Sequence, residues 1–217
     1  MKILKFIIAL LAIPLVIAFS RSFYFFINDI AFLSSRINFF IWGLIGYMVI
    51  HILCFKPMYL YILSHEVIHV LATWVCGGHI TSFNVSSNGG NVTTSKTNSF
   101  IELSPYFVPL YSIFLIAIFP LARGLLSDLN ITPLYIFVIG FTLGMHLIMT
   151  ADSLKLRQPD LSRTGFIFSY MLIYISNLII IALLISFVTD IEHFKIFILS
   201  SIRNTKNIYL LIWNKFV

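Results

Sequence analysis

The chain has 217 residues, of which 59% are hydrophobic and 10% charged, with a net charge of +6. So few charges cannot surface a soluble domain of this length, which leaves an integral, multi-pass membrane protein whose partner is the lipid bilayer. The basic residues are scattered, with no run interleaved with aromatics, so the charge argues for lipid headgroups and against nucleic acid.

In chain order, the opening MKILKFIIALLAIPLVIAFS places Lys2 and Lys5 before an apolar run. That pattern resembles a signal peptide, but ahead of further spans it reads as an uncleaved first helix over 3–19. A polar–aromatic connector, SRSFYFFINDIAFLSSR, follows and is expected near the interface. The second helix is predicted over 37–55 and ends at Lys56-Pro57, because proline cannot continue the hydrogen-bond ladder. The third, 58–76, ends at Gly77-Gly78, a glycine stop signal. Next comes HITSFNVSSNGGNVTTSKTNS, where apolar residues alternate with Ser, Thr and Asn around Asn88-Gly89. This predicts a β-hairpin over 80–94 turning at Asn88-Gly89. Further helices are predicted over 104–122, where Pro105 and Pro109 imply a bent start, over 133–155 and over 164–188. The tail, 191–217, reads as an interfacial amphipathic helix, with a seventh span as the alternative. Cys54 and Cys76 read as buried free thiols. The fold class is therefore an all-α polytopic membrane protein, a single domain over 1–217, with about six transmembrane helices and one small hairpin after the third.

The third helix carries SHEVIH inside MYLYILSHEVIHVLATWVC. His65, Glu66 and His69 form H-E-x-x-H. Residues i and i+4 share a helix face, so the two imidazoles can bind one metal ion. Glu66, about 100° round the helix from His65, stands beside the metal's open position, where it can take a proton from water. Zinc, one ion per chain, suits this arrangement, since it lowers the pKa of bound water and polarises a carbonyl. With six histidines in the chain, chance would supply the pattern in only about two per thousand such chains. Ionisable residues within an apolar helix are expensive and mark function. Thr73 extends the polar stripe by one further turn.

These residues resemble the M50 family of intramembrane metalloproteases, the site-2 protease class. The likeness covers SHEVIH, the following CGGHITSFNVSSNGGNV with its glycine pair and small β element, and SPYFVPLY (Ser104–Tyr111), which looks like the start of the next helix. It spans about 57–165 and implies a protease-like core over 57–188. It also implies a catalytic zinc, a glutamate base at Glu66, and a membrane-protein or peptide substrate cut in or near a transmembrane segment. In that family the third ligand is an aspartate in an N-x-x-P-x-P-x-L-D-G stretch, which this chain lacks.

Four residues are candidates for the third ligand: His146, Asp160, Asp152 and His79. His146 lies nearest mid-depth on the fifth helix, where Thr142, His146 and Thr150 form one polar ridge, and is the expected ligand with Thr150 as a supporting hydrogen-bond partner. Asp160, in Gln158-Pro159-Asp160-Leu161, is the alternative. Helix alternation puts it at the membrane surface, away from His69 unless its loop folds inward. Asp152 reads as interfacial charge and His79 as a strand-leading loop residue. Ser176 and Asn177 read as interhelical hydrogen-bonding groups.

The sequence thus predicts a zinc-dependent intramembrane endopeptidase, in the cell membrane if the chain is bacterial, with room for a regulatory membrane partner. The competing expectations are a non-hydrolytic metal-binding protein or transporter and an inactive protease-like scaffold. Glu66 beside the ligands favours the enzyme.

Overall fold

The computed structural model describes residues 2–31, 35–125, 130–156 and 158–216. By contact the chain divides into two compact units, Asn38–Leu161 and a second made of Met1–Ile37 with Ser162–Val217. Among the described residues, five helices are long and apolar enough to cross a membrane, or six if one bent pair is a single span, as in a multi-pass membrane protein.

The Asn38–Leu161 unit contains most of α3 (Ser35–Leu53), then α4 (Met58–Val75), β1 (Ile80–Ser86), β2 (Gly89–Thr94), α5 (Ser99–Leu103), α6 (Leu110–Leu125), α7 (Thr132–Leu154) and the start of α8 (Pro159–Thr164). The Lys56-Pro57 break falls where the sequence predicts, with Pro57 capping α4. At the other end of α4, Gly77 adopts φ +69°, which an L side chain resists. Its N–H donates to the Trp74 carbonyl (2.9 Å), and the Gly78 N–H donates to the Thr73 carbonyl (2.8 Å). This reciprocal pair is a Schellman stop, and it turns the chain into the hairpin.

The hairpin spans the predicted residues, but its turn is one residue earlier. Ser86 pairs with Gly89, so Ser87 and Asn88 form the turn in place of Asn88-Gly89. The Ser86 hydroxyl accepts from the Asn88 N–H (3.3 Å) and donates to the Gly89 carbonyl (2.9 Å). That side-chain closure outcompetes the Asn-Gly turn preference.

The helix predicted over 104–122 is instead a broken element. After α5, residues Ser104–Tyr106 form a 3-10 turn, and the chain then bends by 77° into α6. Pro109 lacks an N–H and disfavours helical backbone at Val108, so the helix cannot run through.

Helices α3 and α7 meet through glycines. A Cβ at Gly43 would lie 2.0 Å from the Phe137 carbonyl oxygen, and one at Gly140 would lie 2.1 Å from that of Phe40. Only hydrogen fits at either contact. Beyond it, Tyr47, Tyr61, Met145 and Met149 pack into one buried cluster that joins α3, α4 and α7.

In the other unit, α1 (Lys2–Leu11) and α2 (Ile13–Ala31) replace the single helix predicted over 3–19. Pro14, without an N–H, accounts for the break at Ala12. The expected connector is helical as far as Ala31, and its Phe32–Ser34 part lies outside the described residues. α9 (Phe166–Val188) follows Gly165, and the tail forms α10 (Ile191–Phe216), with Val217 outside the described residues. α10 is not among the helices apolar enough to cross a membrane. It runs antiparallel to α2, with Phe197 among Phe19, Phe23 and Phe26 and an Asn204–Ser22 hydrogen bond of 2.9 Å. One face of the expected interfacial helix is thus committed to helix packing. The Asn177 amide donates to its own helix at the Ile173 carbonyl (2.9 Å). Of the cysteines, Cys54 is exposed and Cys76 partly so, both free, against the expectation of burial. Each sits at a helix end, where packing is incomplete.

The glycine contact predicts a stability difference. Gly43→Leu and Gly140→Leu should each lower the Tm of the detergent-solubilised protein, since overpacking costs ~1–3 kcal/mol. Gly124→Ala, whose added Cβ meets nothing within 4 Å, should leave it unchanged.

Candidate metal centre

Every residue of the centre belongs to the Asn38–Leu161 unit. His65 and His69 lie one turn apart on α4, with ring centroids separated by 4.9 Å. Their Nε2 atoms face a single carboxylate oxygen, Oδ2 of Asp160, at 3.8 Å and 3.7 Å. One donor atom from each of the three residues lies within 4.8 Å of the other two. Tetrahedral zinc with bonds of ~2.0–2.1 Å separates its ligand atoms by about 3.4 Å. Two imidazole nitrogens and one carboxylate oxygen with a fourth position open are a donor set that fits catalytic zinc.

The carboxylate that meets the two imidazoles is that of Asp160, the sequence's alternative, and His146 is not in this group. The reason lies in the chain after α7. There the Gln158 amide donates to the Ser153 hydroxyl (3.1 Å) and turns the backbone, and Leu161 is fully buried. Between them the first turn of α8 is drawn inward, so Asp160 is not the surface residue that helix alternation implied. Burial opposes its charge, but the facing imidazoles of His65 and His69 outweigh that and hold its carboxyl below the usual carboxylate range.

Each donor is oriented from behind. His69 Nδ1 donates to the Ile101 carbonyl (2.8 Å), which leaves Nε2 as the lone-pair nitrogen. The Tyr106 hydroxyl donates to Asp160 Oδ2 (3.0 Å), and the Tyr106 ring stands edge-on to His65 with centroids 5.0 Å apart. Both partners come from the bent segment around α5, which Asn98 initiates by accepting from the Ile101 N–H (2.9 Å). The sequence reading missed Ile101 and Tyr106. A backbone carbonyl leaves no mark in a sequence, and Tyr106 in SPYF looked like part of a helix start.

Glu66 is buried beneath the hairpin. A Cβ on Gly90 would lie 2.5 Å from Glu66 Cγ and 2.7 Å from its Oε1, so the β2 backbone rests directly on the carboxylate. A cavity of about 520 Å³ opens here, lined by His65, Glu66, Gly89, Gly90, Tyr61 and Met149 among others.

The remaining candidates stand outside this group of donors. Asp152 is held by Lys56 (2.7 Å), Lys155 (2.7 Å) and His51 (3.3 Å) at the cavity mouth. The His79 side chain is exposed at the start of the hairpin. The Thr73 hydroxyl donates within its own helix to the His69 carbonyl (2.8 Å). Thr142 pairs with Ser112 of α6 at 2.9 Å. His146 and Thr150 are buried on α7. No protein-family model, curated protein or solved structure matches the chain.

The geometry predicts about one zinc per chain in the purified protein. His65→Ala, His69→Ala and Asp160→Ala should each abolish it, while Asp152→Ala and His79→Ala should retain it. Tyr106→Phe should weaken zinc affinity about 10- to 100-fold, the usual cost of losing a partner that orients a ligand. Metal analysis and competitive chelator titration read these outcomes.

Proposed function

We propose that the chain is a zinc-dependent intramembrane endopeptidase, which cuts a peptide bond in or near a transmembrane segment of a membrane-protein substrate. The observation that carries this reading is Glu66, which is close enough to His69 and Asp160 for their charges to interact and lines the same cavity as His65. An aspartate as third donor agrees with the resemblance to the site-2 protease class. If the chain is bacterial, the membrane is the cell membrane.

When bound, zinc supplies Lewis-acid polarisation of the scissile carbonyl and lowers the pKa of a water molecule. His65 and His69 would hold it through Nε2, and Asp160 through a carboxylate oxygen. Glu66 takes the proton from the attacking water and delivers it to the leaving nitrogen as the C–N bond breaks. Tyr106 and Ile101 keep Asp160 and His69 in place throughout.

Substrate access follows from the cavity. A peptide bond inside a helix is shielded by its own hydrogen bonds, so cleavage requires an unwound segment. Gly89 and Gly90 carry the β2 backbone along the cavity beside Glu66. An extended substrate adding to that strand presents its carbonyl to the centre.

Two variants separate chemistry from metal binding. Glu66→Gln should keep about one zinc per chain and lose cleavage of a transmembrane reporter in proteoliposomes by at least 1,000-fold, on the order of 4 kcal/mol of barrier. Gly90→Val, which pushes into the Glu66 carboxylate, should also keep zinc and lose cleavage by about 100-fold, as misplacing a reacting group by ~1 Å does. Full cleavage by Glu66→Gln would sink the hydrolase reading and leave a metal-binding membrane protein.

A further inference from the structure

Four buried polar atoms near His65 find no hydrogen-bond partner among the described residues. They are Nδ1 of His65, Nε2 of His146, Oγ1 of Thr150 and the hydroxyl of Tyr61. All four belong to α4 or α7 in the Asn38–Leu161 unit. His146 is close enough to His65 for their charges to interact, and the Tyr61 hydroxyl stands near those of Ser153 and Thr150 without hydrogen-bond geometry. Unpartnered buried polar atoms are costly one at a time. A group of them in one place points to a common purpose.

The tautomers supply it. His146 hydrogen-bonds the Tyr106 backbone, and since Nε2 is its unpartnered nitrogen, the bonded one is Nδ1. A carbonyl only accepts, so Nδ1 carries the proton and Nε2 presents a lone pair. His65 is the complement. Its Nε2 faces Asp160 on the side where the donors converge and must offer a lone pair to a metal. The proton then sits on Nδ1, a donor with no acceptor. His69 has the same need, which the Ile101 carbonyl meets.

We propose that His146 is a positioning residue of the metal centre: its Nε2 accepts the His65 Nδ1–H through an internal water that the Thr150 and Tyr61 hydroxyls also bind. The link fixes His65 in the tautomer and orientation that leave Nε2 free. The water satisfies all four atoms at once, within the two to four partners an internal water takes. His146, which the sequence marked as a ligand, thus acts one step behind the ligands, and through Tyr106 it joins His65 to the residue that orients Asp160. The proposal rests on the metal-centre reading above.

The test compares His146→Leu, which cannot accept, with His146→Gln, whose amide oxygen can accept and whose amide N–H can still reach the Tyr106 carbonyl. Zinc affinity should fall 10- to 100-fold in His146→Leu and stay within about threefold of wild type in His146→Gln. Under saturating cobalt, the visible spectrum should keep the wild-type band pattern in both, because the ligand set is unchanged. Equal affinity in His146→Leu and wild type would overturn the proposal. Equal losses in both variants would assign His146 a packing role and overturn it as well. A changed cobalt spectrum, or complete loss of metal in both, would make His146 a ligand.

A second measurement separates this proposal from the metal-centre reading. In zinc-loaded protein, side-chain NMR of isotope-labelled histidines should show a hydrogen-bonded His65 Nδ1–H in wild type that shifts and exchanges faster with solvent in His146→Leu. An unchanged Nδ1–H resonance in the zinc-loaded variant would overturn the link alone, whereas a wild type that takes up no zinc would overturn the metal-centre reading and the link with it.

Discussion

Inside an apolar chain, an imidazole nitrogen without a partner is costly, and His65 and His69 bring four such nitrogens onto one helix. The surrounding elements are arranged to meet that demand. One Nδ1 goes to the Ile101 carbonyl, and both Nε2 atoms turn toward the Asp160 carboxylate. The carboxylate is itself held by the Tyr106 hydroxyl. The bent segment after the hairpin and the inward first turn of α8 therefore have one electrostatic purpose.

The same demand explains the path of the chain between α4 and α5. The Schellman stop at Gly77-Gly78 reverses the backbone as soon as the polar stripe of α4 has ended. The hairpin then folds back far enough for Gly90 to lie on Glu66, a contact too close for any side chain at that position. Lys96 donates to the Cys76 carbonyl (3.1 Å), and Asn98 caps α5. These contacts return the chain to α4 just where Ile101 is needed. The result is a cavity lined by α4, α7 and the hairpin, with Lys56, Asp152 and Lys155 among its walls. Exposed ion pairs of that kind add little stability, but they join the α3–α4 turn to the end of α7 and frame the opening.

Local rules explain the features that were legible in the residues. H-E-x-x-H on a helix puts two imidazoles on one face whatever surrounds them. Lys56-Pro57 and Gly77-Gly78 bound that helix by backbone chemistry alone, and alternating apolar and polar residues around a glycine-rich turn make a hairpin. The predicted turn was off by one residue because the Ser86 side chain, not the Asn-Gly dipeptide, closes it. The break within 2–31 was missed, although Pro14 marks it, because apolar composition continues unchanged across it.

The sequence by itself determined the apolar helices, the hairpin, the two imidazoles and the glutamate between them, because each depends on spacing within one element. Tertiary structure alone decided that Asp160, not His146, meets those imidazoles, that Ile101 and Tyr106 orient the donors, and that Gly90 covers Glu66. Those outcomes depend on where a loop of few residues turns and how closely two backbones approach. Residue periodicity carries neither quantity. An aspartate near the end of a helix has the same spacing whether its loop faces lipid headgroups or folds back onto a pair of histidines. Here the Gln158–Ser153 hydrogen bond and the burial of Leu161 select the second.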